Sequence, residues 1–331
     1  MSPKVVTTKM IAEEVGVCQQ IVSAVLNGNH KRVSQRTREK ILATAKAMNY
    51  RSNQVAKMLR SGRSKFIGVL FASLLDRYFA EMLHFLEREL ATRGYIALLS
   101  NWETVEEFDR VLDKVIGYGV EGIITSHDNI ARIPPGLPTV IYDYRLADRD
   151  SVEVDNRESF RELFHYLYGL GHRDFGFIGA RENNVRYWSF RDCLQEHGLP
   201  IRPEWIFECG GYYQEGSRAA GHFLAGGSLP TAIMSTNDAA AIGAMAEFRR
   251  AGLKVPEELS LTGVDNILES AHVCPSITTI DLRIEESAAA LVENLIGRLE
   301  MPESAYKHTV TRGKLVQRES CATPKNRTGN E

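Results

Sequence analysis

From residue 66 onward the chain alternates short apolar runs with amphipathic stretches of helical period, and this alternation restricts the fold more than any other feature. The run at 66–72 precedes Tyr78, Phe79, Met82, Leu83, Phe85, Leu86 and Leu90, which are spaced as one helix face that Gly94 ends; a second run follows at 95–99. Further runs stand at 122–125, 139–143, 175–178, 205–208, 232–235 and 259–264, most of them separated by helical segments. Strands that alternate with helices are joined by crossovers, so they lie parallel with helices on both faces of the sheet. The fold class is therefore α/β. The runs are too many for one open sheet, and a break at 154–157 divides them into two similar lobes. Ligands in such folds bind beyond the C-terminal ends of the strands, so the residues just after each run are candidate ligand contacts.

The first 65 residues follow another rule. Ile11, Ala12 and Val15 form a stripe on a short helix that Thr7 can cap and Gly16 breaks. Val22, Val25 and Leu26 form a second stripe, leaving Gln19, Gln20, Ser23 and Ala24 on the outer face, and Asn27 and Gly28 suit a helix C-terminus. Ser34 can cap a third helix reaching Asn49, with Ile41, Leu42, Ala45 and Met48 as its stripe. Adjacent amides on a short uncharged helix fit the major groove, where glutamine bonds an adenine edge and small side chains meet thymine methyls. Two packed helices with a polar surface would give the same local pattern, and charge separates the readings. Residues 1–65 hold 13 Lys and Arg against 3 Glu, net +10; the remainder holds 27 basic and 39 acidic residues, net −12. A basic helix-turn-helix head implies phosphate neutralisation. Residues 51–65 read as a hinge, helical in propensity at the centre but too short to be stable alone.

Other classes find little support. No apolar run approaches the roughly 18 residues of a membrane span, and the N-terminus lacks the apolar core of a secretory signal, so no membrane association and a cytoplasmic location are expected. Cys18, Cys193, Cys209, Cys274 and Cys321 form no C-x-x-C pair, which suggests neither a zinc site nor a disulfide framework. Phosphate-loop, nucleophile-elbow and H-E-x-x-H signatures are missing, so no enzyme activity, cofactor or metal is expected. The body alone would also suit a solute-binding protein, which the basic head argues against. A dinucleotide-binding enzyme would need a glycine turn after the first strand, where Ser73, Leu74, Leu75 and Asp76 stand instead.

Several motifs occur together: Ile-Ala-Glu-Glu-Val-Gly-Val at 11–17, Val-Ser-x-Val-Leu-Asn-Gly at 22–28, Val-Ser-x-x-Thr-Arg-Glu-Lys-Ile at 33–41 and Asn-x-x-Ala-x-x-Leu at 53–59. In the body, Gly171-His172-Arg173, Thr236-Asn237-Asp238, Gly263-Val264-Asp265-Asn266 and Ile277-Thr278-Thr279-Ile280 follow in order. Over essentially its whole length the chain resembles the lac-repressor and galactose-repressor (LacI/GalR) family of transcription factors. The resemblance implies an all-α head at 1–50, a hinge at 51–65, and a two-lobed periplasmic-binding-protein-like core at 66–318. The core is expected to break near 155, with crossovers near 280 and 310 and a polar tail at 319–331.

The resemblance further implies a homodimer on a palindromic double-stranded DNA operator, with Gln19, Gln20 and Ala24 at base-reading positions and Leu59 entering the minor groove. Thr7, Ile21, Ser23, Asn27 and Asn53 complete the expected DNA-contacting set. The chain departs from the family pattern at Cys18, which replaces a Ser or Thr cap; at Ser52, which replaces a proline; and at Ala24, which stands where many members carry a long reader. For the body, the resemblance implies a small-molecule effector, most simply a sugar, held by Tyr78, Phe79, Asp143, Arg186, Asn237 and Asp265. Arg181 and Tyr212 are weaker candidates. Carboxylates, an amide and a guanidinium supply what polyol recognition needs, and aromatic faces suit the apolar side of a sugar ring. The tail has no leucine heptad, so a dimer rather than a tetramer is expected.

Overall fold

The computed structural model describes residues 6–28, 33–50, 62–71, 76–102, 104–182 and 184–325. The chain forms two compact units, Met1–Ser64 and Lys65–Glu331.

In the first unit, α1 (Thr8–Val15), α2 (Gln19–Leu26) and α3 (Gln35–Ala47) close over Ile11, Ala12, Val15, Val22, Val25, Ile41 and Ala45. Their ends are fixed locally. Thr7 Oγ1 accepts from Met10 N at 3.3 Å, and Ser34 Oγ accepts from Thr37 N at 3.2 Å. Gly16 takes the left-handed conformation at φ +79° that lets the chain turn into α2, and Lys40 donates to the Val15 carbonyl at 3.0 Å. The cap position of α2, Cys18, makes no side-chain hydrogen bond. One expected core residue differs: Leu42 is 42% exposed, because a helix step of about 100° from buried Ile41 carries it off the stripe. Asn53 and Leu59, with most of the expected hinge, lie outside the described residues.

The second unit contains a six-stranded parallel sheet and a four-stranded parallel sheet. The first is built from β1 (Phe66–Leu70), β2 (Ile96–Ser100), β3 (Gly122–Ser126), β4 (Thr139–Tyr142), β5 (Asp150–Val154) and β11 (His308–Thr311), in the order β11-β5-β4-β3-β1-β2. Helices α4 (Arg77–Thr92), α5 (Val105–Gly117) and α10 (Ile284–Glu300) cover it. The second sheet is built from β6 (Phe175–Ile178), β7 (Ile206–Phe207), β8 (Ala232–Ser235) and β9 (Ser260–Thr262), in the order β7-β6-β8-β9. Its helices are α6 (Asn156–Gly169), α7 (Val185–Glu196), α8 (Tyr213–Ala225) and α9 (Asp238–Arg250). Between the lobes β10 (Thr279–Asp281) pairs antiparallel with β12 (Lys314–Val316). The chain passes between lobes after β5, after β10 and again between β11 and β12. No helix among the described residues is long and apolar enough to cross a membrane.

Two features were not legible as apolar runs. β5 carries Asp150, which sits 2% exposed because Arg298 pairs with both of its carboxylate oxygens at 2.8 and 3.1 Å. The expected polar tail begins too early, since residues 319–322 belong to the second lobe. Leu261 N donates to Ser320 O at 3.0 Å, Thr278 N to Ser320 Oγ at 2.9 Å, and Ala322 N to Ser260 Oγ at 3.1 Å. These short polar residues extend the hydrogen bonding beside β9 instead of running into solvent.

Candidate functional site

Both sheets point their strand C-terminal ends at one cleft, and the residues there are set by helix starts and sharp turns. Asp76 caps α4, accepting from Tyr78 N at 2.9 Å, so Tyr78 and Phe79 follow directly on its first turn. Asp143, just past β4, lies at φ +60°. Asn184 caps α7 and accepts from Arg186 N at 2.9 Å, which fixes the arginine on the first turn of that helix. Asn237 caps α9 through Oδ1, accepting from Ala240 N at 2.9 Å; its amide nitrogen stays free of that duty. Residue 211 passes so close that a β-carbon there would sit 2.6 Å from this nitrogen, at φ +94°, which explains Gly211. Asp265 follows β9 at φ +108°, its N–H bonded to Ile280 O.

Tyr78, Phe79, Asp143, Arg186, Asn237 and Asp265 all line one cavity of about 150 Å³. Asp76, Tyr142, Asn156 and Leu282 line it too, and sequence reasoning missed them. Asp76 and Asn156 look like ordinary helix-start residues, and Tyr142 and Leu282 look like core. The signal that could have found Asp76, Tyr142 and Asn156 is position, since each follows or ends a strand of the cleft-facing sheets, whereas Leu282 follows β10 of the two-stranded pair. Arg181 and Tyr212 do not line this cavity: Arg181 is exposed and bound to Glu208 at 2.7 Å, and Tyr212 is 51% exposed.

Arg186 organises the polar wall. Its Nε and Nη2 donate to Asn156 Oδ1 at 3.1 and 2.9 Å, Nη1 donates to Thr236 O at 2.5 Å, and Nη2 stands 3.6 Å from Asp265 Oδ1. Asn156 in turn donates to Asp143 Oδ1 at 3.0 Å, so the amide connects the carboxylate of one lobe to the guanidinium of the other. Tyr78 and Tyr142 share a hydroxyl–hydroxyl hydrogen bond in the interior. Burial raises the pKa of both phenols above the ordinary range. Burial also pushes the Asp265 carboxyl well up against the pull of Arg186, and Asp76 rises for the same reason. Behind the wall, Asp238 is fully buried, accepting from Thr279 Oγ1 at 2.6 Å and from Ile267 N at 2.9 Å; desolvation raises it to about 7.

In the head, Gln20 is exposed on α2, Ser23 and Ala24 are half-buried, and Ile21 packs partly into the core. Gln19 is exposed, but its amide nitrogen donates to Thr8 Oγ1 at 2.8 Å. Asn27 folds back onto Ser23, donating to the Ser23 carbonyl at 2.7 Å. Thr7 serves as the α1 cap. Among the described residues no group of His, Cys, Asp and Glu is arranged to hold a metal ion.

A helix-turn-helix head and a two-lobed body, with a polar cavity where two parallel sheets face each other, are the parts of a ligand-responsive DNA-binding regulator. Residues 7–53 match the family of bacterial regulatory proteins, lacI family, and residues 164–321 match a periplasmic binding protein-like domain. The chain is 31% identical over 311 residues to the HTH-type transcriptional repressor PurR of Pasteurella multocida (strain Pm70), covering 88% of this chain and 92% of that protein. It is 29% identical over 338 residues to the PurR repressor of Escherichia fergusonii, covering 96% and 97%. The chain belongs to the lacI family. Its relatives are transcriptional regulators, not enzymes. Among solved structures, the lac repressor dimer bound to operator and the anti-inducer ONPF matches with a TM-score of 0.84 at 24% identity, covering 96% of this chain and 100% of that one. The regulator CelR in complex with cellobiose matches with a TM-score of 0.72 at 22% identity, covering 95% and 99%. These two similarities show the fold.

Proposed function

We propose that this chain is a cytoplasmic transcriptional repressor that binds a palindromic operator as a homodimer and changes its DNA affinity when a small hydroxylated ligand, most simply a sugar, fills the cavity between its lobes. The observation that carries the reading is convergence. Residues as far apart as Tyr78 and Asp265 meet at the C-terminal ends of two separate sheets around one cavity, in a chain whose other unit is a basic helix-turn-helix. The wall supplies carboxylate acceptors, an amide and neutral phenol donors, and Phe79 supplies an apolar face; hydroxyls on a ring match this mixture.

DNA reading falls to α2. Gln20 is the exposed amide that bonds an adenine edge, Gln19 is positioned by Thr8, and Ser23 and Ala24 offer small surface to thymine methyls. Thr7 and Asn27 fix the ends of the motif, and Asn53 and Leu59 are assigned to the hinge contact on the family pattern. Regulation needs only differential binding: a ligand that prefers one arrangement of the lobes biases the arrangement of the paired heads. Selection of random duplex DNA by the full chain, followed by a titration of the selected operator with candidate sugars, tests the reading. A symmetric motif whose affinity responds to a sugar is expected. Failure to enrich any sequence over bulk DNA would sink it.

A further inference from the structure

We propose that the effector carries a protonated amine on its hydroxylated ring, an amino sugar or a similar polyhydroxylated amine, and that Asp76 is the residue that selects it. The proposal rests on the assignment of the cavity as the effector site, and names the chemical class that site takes.

The argument is one of charge and of which donors are already engaged. Asp76 lines the cavity from the first lobe and Asp265 from the second, and among the described lining residues the cation is Arg186. That guanidinium is already engaged by Asn156, Thr236 O and Asp265, so it does not present the open fork that binds a phosphate or a carboxylate bidentately. The next cations point elsewhere. Arg77 pairs with Glu269 at 3.0 Å, with Glu81 also beside it, and Arg318 is held by Asn266 Oδ1 at 2.6 Å and Ile277 O at 2.8 Å.

An anionic ligand therefore meets repulsion here, and a neutral ring satisfies acceptors while leaving the excess charge in place. An ammonium does both, through charge-assisted hydrogen bonds to the lining carboxylates. Asp76 is the informative position because its structural duty, capping α4, is one an asparagine performs equally well. The fold asks only for a capping oxygen, so the charge is available for the ligand. The cavity, about 150 Å³, is smaller than the roughly 300–1,000 Å³ of pockets for drug-sized ligands, which suits a single ring.

The test uses the full chain and matched sets of neutral, amino and acidic monosaccharides: glucose with glucosamine and glucuronate, and the corresponding galactose and mannose sets, by calorimetry near neutral pH. The expected result is that at least one amine binds about tenfold or more tightly than its neutral parent, with no acidic member detected. Asp76→Asn, which keeps the cap, is expected to bring the amine down to the affinity of its neutral parent. A panel in which no amine binds overturns the proposal whatever the neutral sugars do, as does an acidic sugar that matches the amine, or an Asp76→Asn chain that keeps the preference. A sugar response confined to neutral rings removes the charge selection and leaves the regulator reading intact. Loss of the regulator reading is seen separately, in the DNA selection.

Discussion

At the scale of single residues, the chain shows how far residue type alone can mislead. Asp238 looks like a solvated helix-start carboxylate, yet it is fully buried and holds its proton to about pH 7, while the ordinary value is 3.8. Between those two pH values the folded chain binds more protons than the unfolded one, so stability falls as pH rises through this window and is flat above it. The full effect is about 4 kcal/mol as an upper figure. Asp238→Asn keeps an acceptor for Ile267 N and a partner for Thr279, and removes the charge. The variant is expected to melt higher than the parent at pH 8 and to lose this pH dependence; equal melting temperatures at pH 5 and pH 8 in the parent would contradict the burial argument. In the head, the sequence presented Gln19 and Gln20 as equivalent readers, but Gln19 is tied to Thr8. Gln20→Ala is therefore expected to cost roughly 1 to 3 kcal/mol of operator affinity and to relax preference at one symmetric base pair in each half-site. A selected motif unchanged by the substitution would show that α2 is read in the wrong register. Arg186 and Asp265 were placed in the cavity's lining through the family resemblance, which supplies positions that residue type alone does not. The cavity was illegible at Asp76 and Asn156, where the same residue type also does routine work at a helix start.

At the scale of elements, the regular part of the fold was readable because local preference and burial agree: β6 and β8 stand where the apolar runs at 175–178 and 232–235 put them. β5 escaped because its buried aspartate is neutralised by Arg298, 148 positions further on, and no local pattern carries that partner. The packing of α8 on α9 was equally silent. A β-carbon at Gly216 would stand 2.0 Å from Ala240 O, and one at Gly243 would stand 1.9 Å from Tyr213 O, so the two helices meet backbone to backbone. Ser217 Oγ fastens the contact by donating to Gly243 O at 3.0 Å. No side chain can give way there, so the helices themselves must separate to admit a methyl. Gly243→Ala is expected to destabilise the body by about 3 kcal/mol or more, read as a lowered urea midpoint. A midpoint within error of the parent would mean that the two helices shift apart freely.

At the scale of the whole molecule, the division of charge matters more than the net value of −2: the basic residues concentrate before residue 66 and the acidic ones after it. One unit is suited to a polyanion, whereas the other carries an acidic excess, and coupling between operator and effector binding works through arrangements of the protein that each ligand prefers. Within the body the means for such coupling are visible. The chain passes between the lobes at 154–156 and near β10 and β12, and the cleft is bridged by Arg77 with Glu269 and by Asn156, which joins Asp143 to Arg186. A ligand that rearranges these bridges shifts the balance between lobe arrangements by its difference in affinity for them, and by no more. Linkage then fixes a quantitative expectation: the factor by which saturating effector changes operator affinity must equal the factor by which saturating operator changes effector affinity. Both are measured on the full chain, operator binding by fluorescence anisotropy with and without effector, and effector binding by calorimetry with and without operator, at one salt concentration because phosphate neutralisation makes DNA affinity steeply salt-dependent. Coupling of about 5- to 150-fold is expected in each direction. A factor that differs between the two directions beyond error would show that a further linked species, such as a dissociating dimer, takes part. A factor of one in both would show that the cavity does not communicate with the head.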